Sequence, residues 1–530
     1  MSYLNNAFTF LPFFYFSRLS PDAPVLVVTD HSQRLRIDFS PLPCPVFFAL
    51  PKSSCPEDSA IRAEQLLEWD DALLNSGRQF GAIIVDLEQE NSEAAVSKLR
   101  PLLLPGGRLI RLDWRASRSH ALRNLGRHFR RPAQPENAPR NSETDLRANG
   151  LQPVWHFLPA PDLQKPRFLV QPGIQQSLPV ETASPVKKWL LQNGAFYLQA
   201  RQKVTVTQAA DAAEKVVSPV EIGIAEITGL QRLSQIRQTI RKIYISTTNV
   251  LMIQFQHRRK DYFLRFPFTK RSMQRVQNQA ALCGFLAENN VAFTPKPLKI
   301  SGLPLPVYGE SGQPGRDVEK HFANAPLSEA RAIFDAALQK MAEIHNRFGE
   351  IRTFDPAVFE QHIQPRLTTV LQRCPAAKNA VEAVGAFFRQ RFEGKRVLLS
   401  VCHGDFKIGN CLFDKNNAIA SIIDWDMGEK NGLTLVDATS LFAKSLRIRH
   451  GYSLADLLRR AQQLPDDFLS GFQRYFADAG ASAVSPETAI VFYWLDRVYK
   501  QIAFDAHLKE SWIQKNVIDV IPVLGKRWRL

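Results

Sequence analysis

The most informative part of the 530-residue chain is Val401-Cys-His-Gly-Asp-Phe-Lys-Ile-Gly-Asn410, followed by Ala420-Ser-Ile-Ile-Asp-Trp-Asp426. An apolar run, 397–402, leads into the carboxylate of Asp405, and a second run, 419–423, leads into Asp424. Short apolar runs of this kind are typical of buried strands. We therefore expect both carboxylates, and the amide of Asn410, to be presented at the ends of two strands.

These residue types suit one kind of chemistry. Phosphoryl transfer from ATP requires a carboxylate that orients and deprotonates the acceptor hydroxyl, and metal ligands that neutralise the triphosphate. Asp405 can provide the first function. Asn410 and Asp424 offer the hard oxygen ligands that Mg²⁺ prefers. The pattern predicts a site for ATP and Mg²⁺.

The two segments resemble the catalytic and metal loops of the aminoglycoside phosphotransferase/choline kinase family, which has the protein-kinase-like fold. The similarity lies in His403-Gly-Asp405, in Asn410, and in Asp424 fourteen residues later. The resemblance implies that Asp405 is the catalytic base and that Asn410 and Asp424 are the Mg²⁺ ligands.

The same resemblance assigns supporting roles to neighbouring residues. Lys407 occupies the place of a lysine that reaches the transferred phosphate, with a solvent-exposed lysine as the alternative. His403 is expected to form structural hydrogen bonds, and Asp437 to brace the catalytic loop. Asp426 is either an additional metal or substrate contact or a surface acid.

Upstream, Lys260-Asp-Tyr-Phe-Leu-Arg-Phe266 resembles the third strand of the family's small lobe. This assigns Arg265 to the nucleotide phosphates. The following helix carries Gln279 where the family has a glutamate that pairs with this cation. Glutamine can donate or accept a hydrogen bond but supplies no charge. This departure weakens the expected nucleotide clamp.

The segment Tyr308-Gly-Glu-Ser-Gly-Gln-Pro-Gly315 resembles the connection between the two lobes. Its backbone is expected to meet adenine near Glu310 and Ser311. The resemblance covers residues 220–530 and predicts a small lobe over 220–310 and a large helical lobe over 311–530.

Residues 24–175 show a different pattern, with apolar strands alternating with helical segments. Val25–Val28 and Ala82–Val85 are runs of the buried parallel-strand type. Helical spacing extends over 58–75, and a turn at 105–107 precedes a strand at 108–112. Strands alternating with helices predict a doubly wound, Rossmann-like α/β sheet.

This N-terminal part, residues 1–170, resembles a class I S-adenosylmethionine-dependent methyltransferase. The similar segments are Phe80–Asp86 and Leu99–Ile110. Asn149–Leu151 and Phe168–Val170 resemble the hairpin that closes the family's sheet. The family has a glycine-rich turn after its first strand, but residues 28–33 contain no glycine. We therefore expect a degenerate domain without S-adenosylmethionine, joined to the kinase-like part by a linker and connecting segment at 171–219.

Composition narrows the protein class. The net charge of +16, with 45% hydrophobic and 22% charged residues, excludes a disordered chain, a collagen-like fibre and a polytopic membrane protein. The six cysteines form no CxxC pair, which favours a reducing cytoplasm over a disulfide framework or zinc site. Most of the charge excess follows residue 175 and is densest over 241–275.

A basic chain can bind nucleic acid, an anionic membrane or a phosphorylated small molecule. No finger, basic zipper or aromatic RNA-binding motif is present, so we expect no nucleic-acid partner. The basic segment Arg115–Arg140 is either a solvated helix with a mobile loop or a membrane-surface or glycan-phosphate patch. It leaves peripheral membrane contact open.

The sequence thus predicts an ATP- and Mg²⁺-dependent kinase acting on a hydroxyl group of a small molecule. The stretch Ile423–Asp437 resembles phosphotransferases of bacterial surface-glycan gene clusters, which implies a sugar or glycan precursor of bacterial surface polysaccharide as the acceptor. Asp496 and Asp505 are candidate acids for a cationic acceptor, with surface acids as the alternative. The competing interpretation is a pseudokinase fused to a pseudo-methyltransferase, acting as a scaffold.

Overall fold

A computed structural model describes most of the chain and divides it into two compact units. The first comprises Met1–Met273 and Leu298–Glu310, and the second comprises Gln274–Pro297 and Ser311–Leu530. The described residues are 15–16, 22–29, 44–50, 66–68, 77–86, 95–114, 151–160, 168–170, 202–209, 212, 215–246, 248–303, 306–504 and 508–528. The basic segment Arg115–Arg140 and the glycine-free turn after Thr29 lie outside them.

One sheet of 13 strands forms the first unit, with strand order β12-β13-β11-β10-β9-β7-β6-β8-β5-β4-β1-β2-β3. The strands are β1 (Val25–Thr29), β2 (Val46–Leu50), β3 (Leu66–Glu68), β4 (Phe80–Asp86), β5 (Leu103–Trp114), β6 (Leu151–Ala160), β7 (Phe168–Val170), β8 (Gln202–Ala209), β9 (Ile240–Ile245), β10 (Val250–His257), β11 (Lys260–Pro267), β12 (Pro297–Leu298) and β13 (Tyr308–Ser311).

The N-terminal strands β3, β2, β1, β4 and β5 are parallel neighbours. The two runs predicted as parallel strands pair directly, with Val25 opposite Ala82 and Val28 opposite Val85. All five residues of β1 are buried, as expected for a strand covered on both faces. Next to β5 the direction reverses, because β8 is antiparallel to both β5 and β6.

Three local predictions need correction. Within the predicted helix 58–75, the described residues Leu66–Glu68 form β3, which pairs with β2. The predicted linker 171–219 contributes β8, whose alternating Val and Thr residues suit a pleated sheet. The strand that closes the parallel sheet is β8 and not β7, which pairs with β6 and β9.

The sheet continues without interruption into the small lobe. Phe168 of β7 pairs with Tyr244 of β9, and β9, β10 and β11 follow as an antiparallel meander. A single apolar core includes Val25 and Ile84 from the parallel strands together with Leu251 and Leu264 from the meander. The predicted domains 1–170 and 220–310 therefore contribute to one core.

A buried ion pair lies within this core. Glu221 is in the first turn of helix α1 (Pro219–Thr228), where Ser218 caps the helix in a capping box. Its carboxylate accepts hydrogen bonds from Arg108 of β5 at 2.5 Å and from the Trp155 indole of β6 at 2.7 Å. Arg108 also donates to the Gln208 side chain of β8. The pair joins the N-terminal strands to the first helix of the predicted small lobe.

The second unit is mainly helical, with two three-stranded sheets, β14-β17-β18 and β15-β16-β19. Those strands are β14 (Arg316–Asp317), β15 (Glu350–Thr353), β16 (Arg396–Cys402), β17 (Cys411–Phe413), β18 (Ile419–Ile422) and β19 (Glu429–Leu433). Along the chain, the antiparallel strands β9, β10 and β11 come before this mainly helical part, which is the kinase-like order that the sequence predicted. β16 and β18 match the two predicted strands.

The remaining helices are α2 (Leu233–Thr239), α3 (Lys270–Glu288), α4 (Glu319–Asn324), α5 (Leu327–Phe348), α6 (Pro356–His362), α7 (Gln364–Arg373), α8 (Lys378–Phe392), α9 (Leu435–His450), α10 (Leu454–Arg459), α11 (Leu469–Asp478), α12 (Pro486–Phe504), α13 (Glu510–Asn516) and α14 (Ile521–Trp528). Among the described residues, none of these helices combines the length and hydropathy that a membrane crossing requires.

Candidate active site

The first catalytic motif begins where the buried strand β16 ends. Gly404 has a φ of +81°, and a Cβ at this position would collide with the backbone oxygen of Met427. Only glycine fits both constraints without strain. The sharp turn places Asp405 just beyond the strand, with its side chain 16% exposed.

Asp437, at the start of α9, accepts hydrogen bonds from this turn. Its carboxylate receives the backbone N–H groups of His403 at 2.6 Å and Gly404 at 2.8 Å. His345 of α5 lies 3.2 Å from the same carboxylate, and the other ring nitrogen of His345 lies 2.6 Å from the Tyr475 hydroxyl. Burial raises the pKa of Asp437, but His345 and the turn outweigh it, so the pKa is lowered.

His345, Cys402 and Asp437 lie close enough together to be considered as a metal-binding group. Their hydrogen bonds favour a structural role. Both Asp437 oxygens are hydrogen-bonded, and the Cys402 thiol donates to the Ser400 carbonyl at 3.6 Å. Burial raises the pKa of Cys402 well above its ordinary value, which keeps the thiol protonated.

Asp437→Asn should destabilise the second unit by about 3 kcal/mol, because an amide nitrogen would face the His403 or Gly404 N–H group inside a dry core. Urea denaturation measures this change. The matched control is Asp478→Asn on the exposed end of α11, which should leave stability unchanged. Equal stability of the two variants would refute the bracing role.

His403 connects the two motifs. Its Nδ1 accepts the backbone N–H of Asp405 at 3.3 Å, so Nε2 carries the proton and donates to the Ile423 carbonyl at 2.8 Å. Burial lowers the pKa of His403 despite the surrounding carboxylates, which is consistent with a neutral ring. The ring also packs against Trp425, with 4.8 Å between the ring centroids.

Hydrogen bonds within and between the two loops also position Asn410 and Asp424. The Asn410 Nδ2 donates to the Asp405 carbonyl at 3.1 Å, which leaves Oδ1 as the ligand atom of the amide. The Asn410 carbonyl accepts the Ile423 N–H at 2.9 Å, so the two loops are joined next to Asp424. Asp424 has a left-handed backbone, with φ 69° and ψ 54°. Such conformations concentrate at functional sites, and these oxygen donors fit Mg²⁺.

Asp426 has a structural partner. Arg275 of α3 donates from Nε to the Asp426 carboxylate at 2.9 Å, and both side chains are nearly buried. Asn278, one turn further along α3, donates to the backbone carbonyls of Asp426 and Gly428. Arg275 and Asn278 thereby fix the loop that carries Asp424. The basic run 241–275 contains Arg275, but its composition does not reveal this contact.

Three cations surround the Asp405 carboxylate. Lys407 lies 3.1 Å from Oδ2, whereas Lys444 of α9 and Arg497 of α12 lie 2.5 Å and 3.8 Å from Oδ1. Burial raises the pKa of Asp405, but the cations outweigh it and hold the pKa far below its ordinary value. Burial lowers the pKa of Lys444 to about 8. Lys407 was predicted from the sequence, whereas Lys444 and Arg497 were not.

Asp496, proposed from sequence as an acid for a cationic acceptor, is already paired. Arg366 of α7 lies 3.0 Å from one carboxylate oxygen, and Lys500 lies 2.6 Å from the other. Lys500 also donates to the Gly404 carbonyl, and Arg366 contacts Glu429 at 3.2 Å. Asp496 therefore stabilises the catalytic turn through Lys500. Asp505 lies outside the described residues.

The residues predicted to face the nucleotide fall in both units. In the first, Arg265 of β11 forms an ion pair with Glu310 of β13 at 3.1 Å, a partner that the sequence did not predict. In the second, Gln279 is buried on α3, and the Ser311 carbonyl accepts a hydrogen bond from Gln313 at 2.8 Å. Their roles toward a nucleotide stay predictions.

Comparison with known proteins agrees with the motifs. Residues 246–475 match the model of the phosphotransferase enzyme family (APH). The C-terminal part of the chain thus resembles this family, as the sequence predicted, whereas the N-terminal part lies outside the match. No curated protein matches the chain at a significant level.

Three solved structures illustrate the similarity. Choline kinase LicA from Streptococcus pneumoniae is 16% identical, with a TM-score of 0.35, over 52% of this chain and 90% of that one. Wild-type aminoglycoside 2'-phosphotransferase-IIIa in its GDP complex is 14% identical, with a TM-score of 0.33, over 54% and 88%. Macrolide 2'-phosphotransferase type I is 11% identical, with a TM-score of 0.31, over 55% and 93%.

Proposed function

We propose that the C-terminal part is an ATP- and Mg²⁺-dependent phosphotransferase that acts on a hydroxyl group of a small molecule. The observation that carries this proposal is the hydrogen-bonded unit at the ends of β16 and β18. It presents Asp405, Lys407, Asn410 and Asp424 together. The family match over 246–475 supports the same conclusion.

The proposed reaction follows from this arrangement. An Asp405 carboxylate oxygen accepts the proton of the acceptor hydroxyl, and the hydroxyl oxygen forms a bond to the γ-phosphorus. The bond between that phosphorus and the β–γ bridging oxygen breaks, and ADP leaves with the electron pair. Lys407 neutralises charge on the transferred group. Asn410 and Asp424 would hold Mg²⁺, which when bound neutralises the triphosphate.

The nucleotide is proposed to engage Arg265 through its phosphates and the backbone near Glu310 and Ser311 through adenine. Gln279 gives the competing scaffold function its support, because it replaces the glutamate expected beside Arg265. A sugar or glycan precursor of bacterial surface polysaccharide is the acceptor that the resemblance of residues 423–437 implies. Each of these assignments derives from the sequence resemblance.

For the N-terminal part we propose a degenerate, Rossmann-like methyltransferase domain. Five parallel strands in the order β3-β2-β1-β4-β5, followed by the antiparallel β8, support this assignment. S-adenosylmethionine is not part of the proposal, because the sequence after β1 lacks the glycine turn that brings backbone close to that cofactor.

Asp424→Asn should remove most of the stabilisation of the protein by MgATP, because the negative charge is lost and one carboxylate oxygen becomes an NH2 group that cannot bind a metal. Thermal unfolding with ATP, with and without Mg²⁺, measures this effect. Asp478→Asn on the exposed end of α11 serves as the control and should retain the full shift. A Mg²⁺-dependent shift that survives Asp424→Asn would contradict the assignment of this residue.

A further inference from the structure

The cations around Asp405 lie on two sides of its carboxylate. Lys407 contacts Oδ2, on the side that the proposed reaction assigns to the transferred phosphate. Lys444 and Arg497 contact Oδ1 from helices α9 and α12. The proposed phosphoryl transfer explains Lys407 but gives no role to this second pair.

The acids around the site do not neutralise Lys444 and Arg497. Asp496 and Glu429 form a closed network with Arg366 and Lys500, in which two acids balance two bases. Lys407 is balanced in part by Asp424 and Glu319 as well as by Asp405. Among the described residues, Asp405 is the one acid that contacts Lys444 and Arg497, so positive charge remains in excess beside Oδ1.

Burial makes this excess significant. The Lys444 side chain is only 13% exposed, whereas Arg497 is 33% exposed and open to a ligand. Water screens charges poorly at such depth, so an unbalanced cation pair attracts an anion and repels a cation. An acceptor with an ammonium group close to its reacting hydroxyl would meet like charge.

We propose, resting on the function above, that the acceptor carries an anionic group near its reacting hydroxyl, and that Arg497 and Lys444 bind this group. Carboxylate and phosphate share the required chemistry. Arg497 offers the planar fork that pairs with either group, and Lys444 offers a compact ammonium. The anion replaces Asp405 Oδ1 as their partner, which releases that oxygen to accept the hydroxyl proton.

Four hexoses that differ in charge test this proposal on the full chain with Mg²⁺ and ADP. They are glucose, glucosamine, glucuronate and glucose 6-phosphate, and calorimetry measures their dissociation constants. At least one anionic sugar should bind roughly tenfold to a hundredfold more tightly than glucose, and glucosamine should bind no better than glucose. The ratio of glucuronate to glucose 6-phosphate affinity distinguishes a carboxylate from a phosphate.

Variants assign the effect to the two residues. Arg497→Met and Lys444→Met should each remove most of the anion preference, while Arg497→Lys should restore part of it. Arg474→Met on the exposed face of α11 is the matched control and should retain the preference. A retained MgATP thermal shift shows that each variant is folded.

Three outcomes overturn the proposal: glucosamine binds most tightly, no anionic sugar binds better than glucose, or the preference survives in the Arg497→Met, Lys444→Met double variant. These outcomes are separate from a failure of the phosphotransferase function. That function fails if MgATP produces no Asp424-dependent shift, whatever the sugars do.

Discussion

Asp405→Asn is expected to lower the rate of phosphoryl transfer by about 10²- to 10⁴-fold, the usual contribution of a positioned general base. The amide has nearly the same shape as the carboxylate but cannot accept the hydroxyl proton. It also leaves Lys444 without its anionic partner at 2.5 Å. The measurement is Mg²⁺-dependent ADP release in the presence of the four hexoses.

Nucleotide binding provides the control for Asp405→Asn. The metal ligands Asn410 and Asp424 remain, so this variant should keep the MgATP thermal shift that Asp424→Asn loses. That combination separates chemistry from binding. If wild-type protein shows the shift but releases ADP no faster than Asp405→Asn, the scaffold function is correct and the phosphotransferase proposal is wrong.

The local parts of the site could be predicted from sequence because they are contiguous. The strand, turn and carboxylate of residues 397–405 lie within one short segment, and apolar runs report buried strands directly. Gly404 lies in the turn and Asn410 only five residues after Asp405, so a single stretch of sequence contains the whole loop.

The rest of the site could not be predicted, because it is assembled by tertiary packing. Lys444 and Arg497 lie on helices where lysine and arginine are ordinarily solvent-exposed. Only the packing of α9 and α12 near Asp405 gives these side chains a function. The same applies to Arg275, whose partner Asp426 is 151 residues away. Total charge signals an excess of cations but not their location.

In the N-terminal sheet, too, the sequence predicts individual strands but not which strands pair. Alternating or apolar runs predicted several of its strands, but a run does not specify its neighbour. β8 lies in a segment whose surroundings are rich in turn-forming residues, and its pairing with β5 and β6 closes the parallel sheet. The pairing of β7 with β9 then joins two parts that the sequence divides.

Arg108→Met should destabilise the first unit by about 3 kcal/mol, because the fully buried carboxylate of Glu221 loses its cation. The Trp155 indole and two backbone N–H groups still donate hydrogen bonds to the Glu221 carboxylate. Since one core contains the parallel strands and the meander, we expect the loss of stability to reach both. Hydrogen exchange should accelerate over β4 and equally over β10.

Arg232→Met provides the control, because Arg232 is exposed at the start of α2 and its side chain caps no helix bond. It should leave exchange unchanged in every strand. If β10 in Arg108→Met exchanged at the wild-type rate while β4 accelerated, the parallel strands would unfold independently of the small lobe. Equal acceleration would mean that the parallel strands stabilise the small lobe. A chain shortened to the kinase-like residues would then lack part of the core of that lobe.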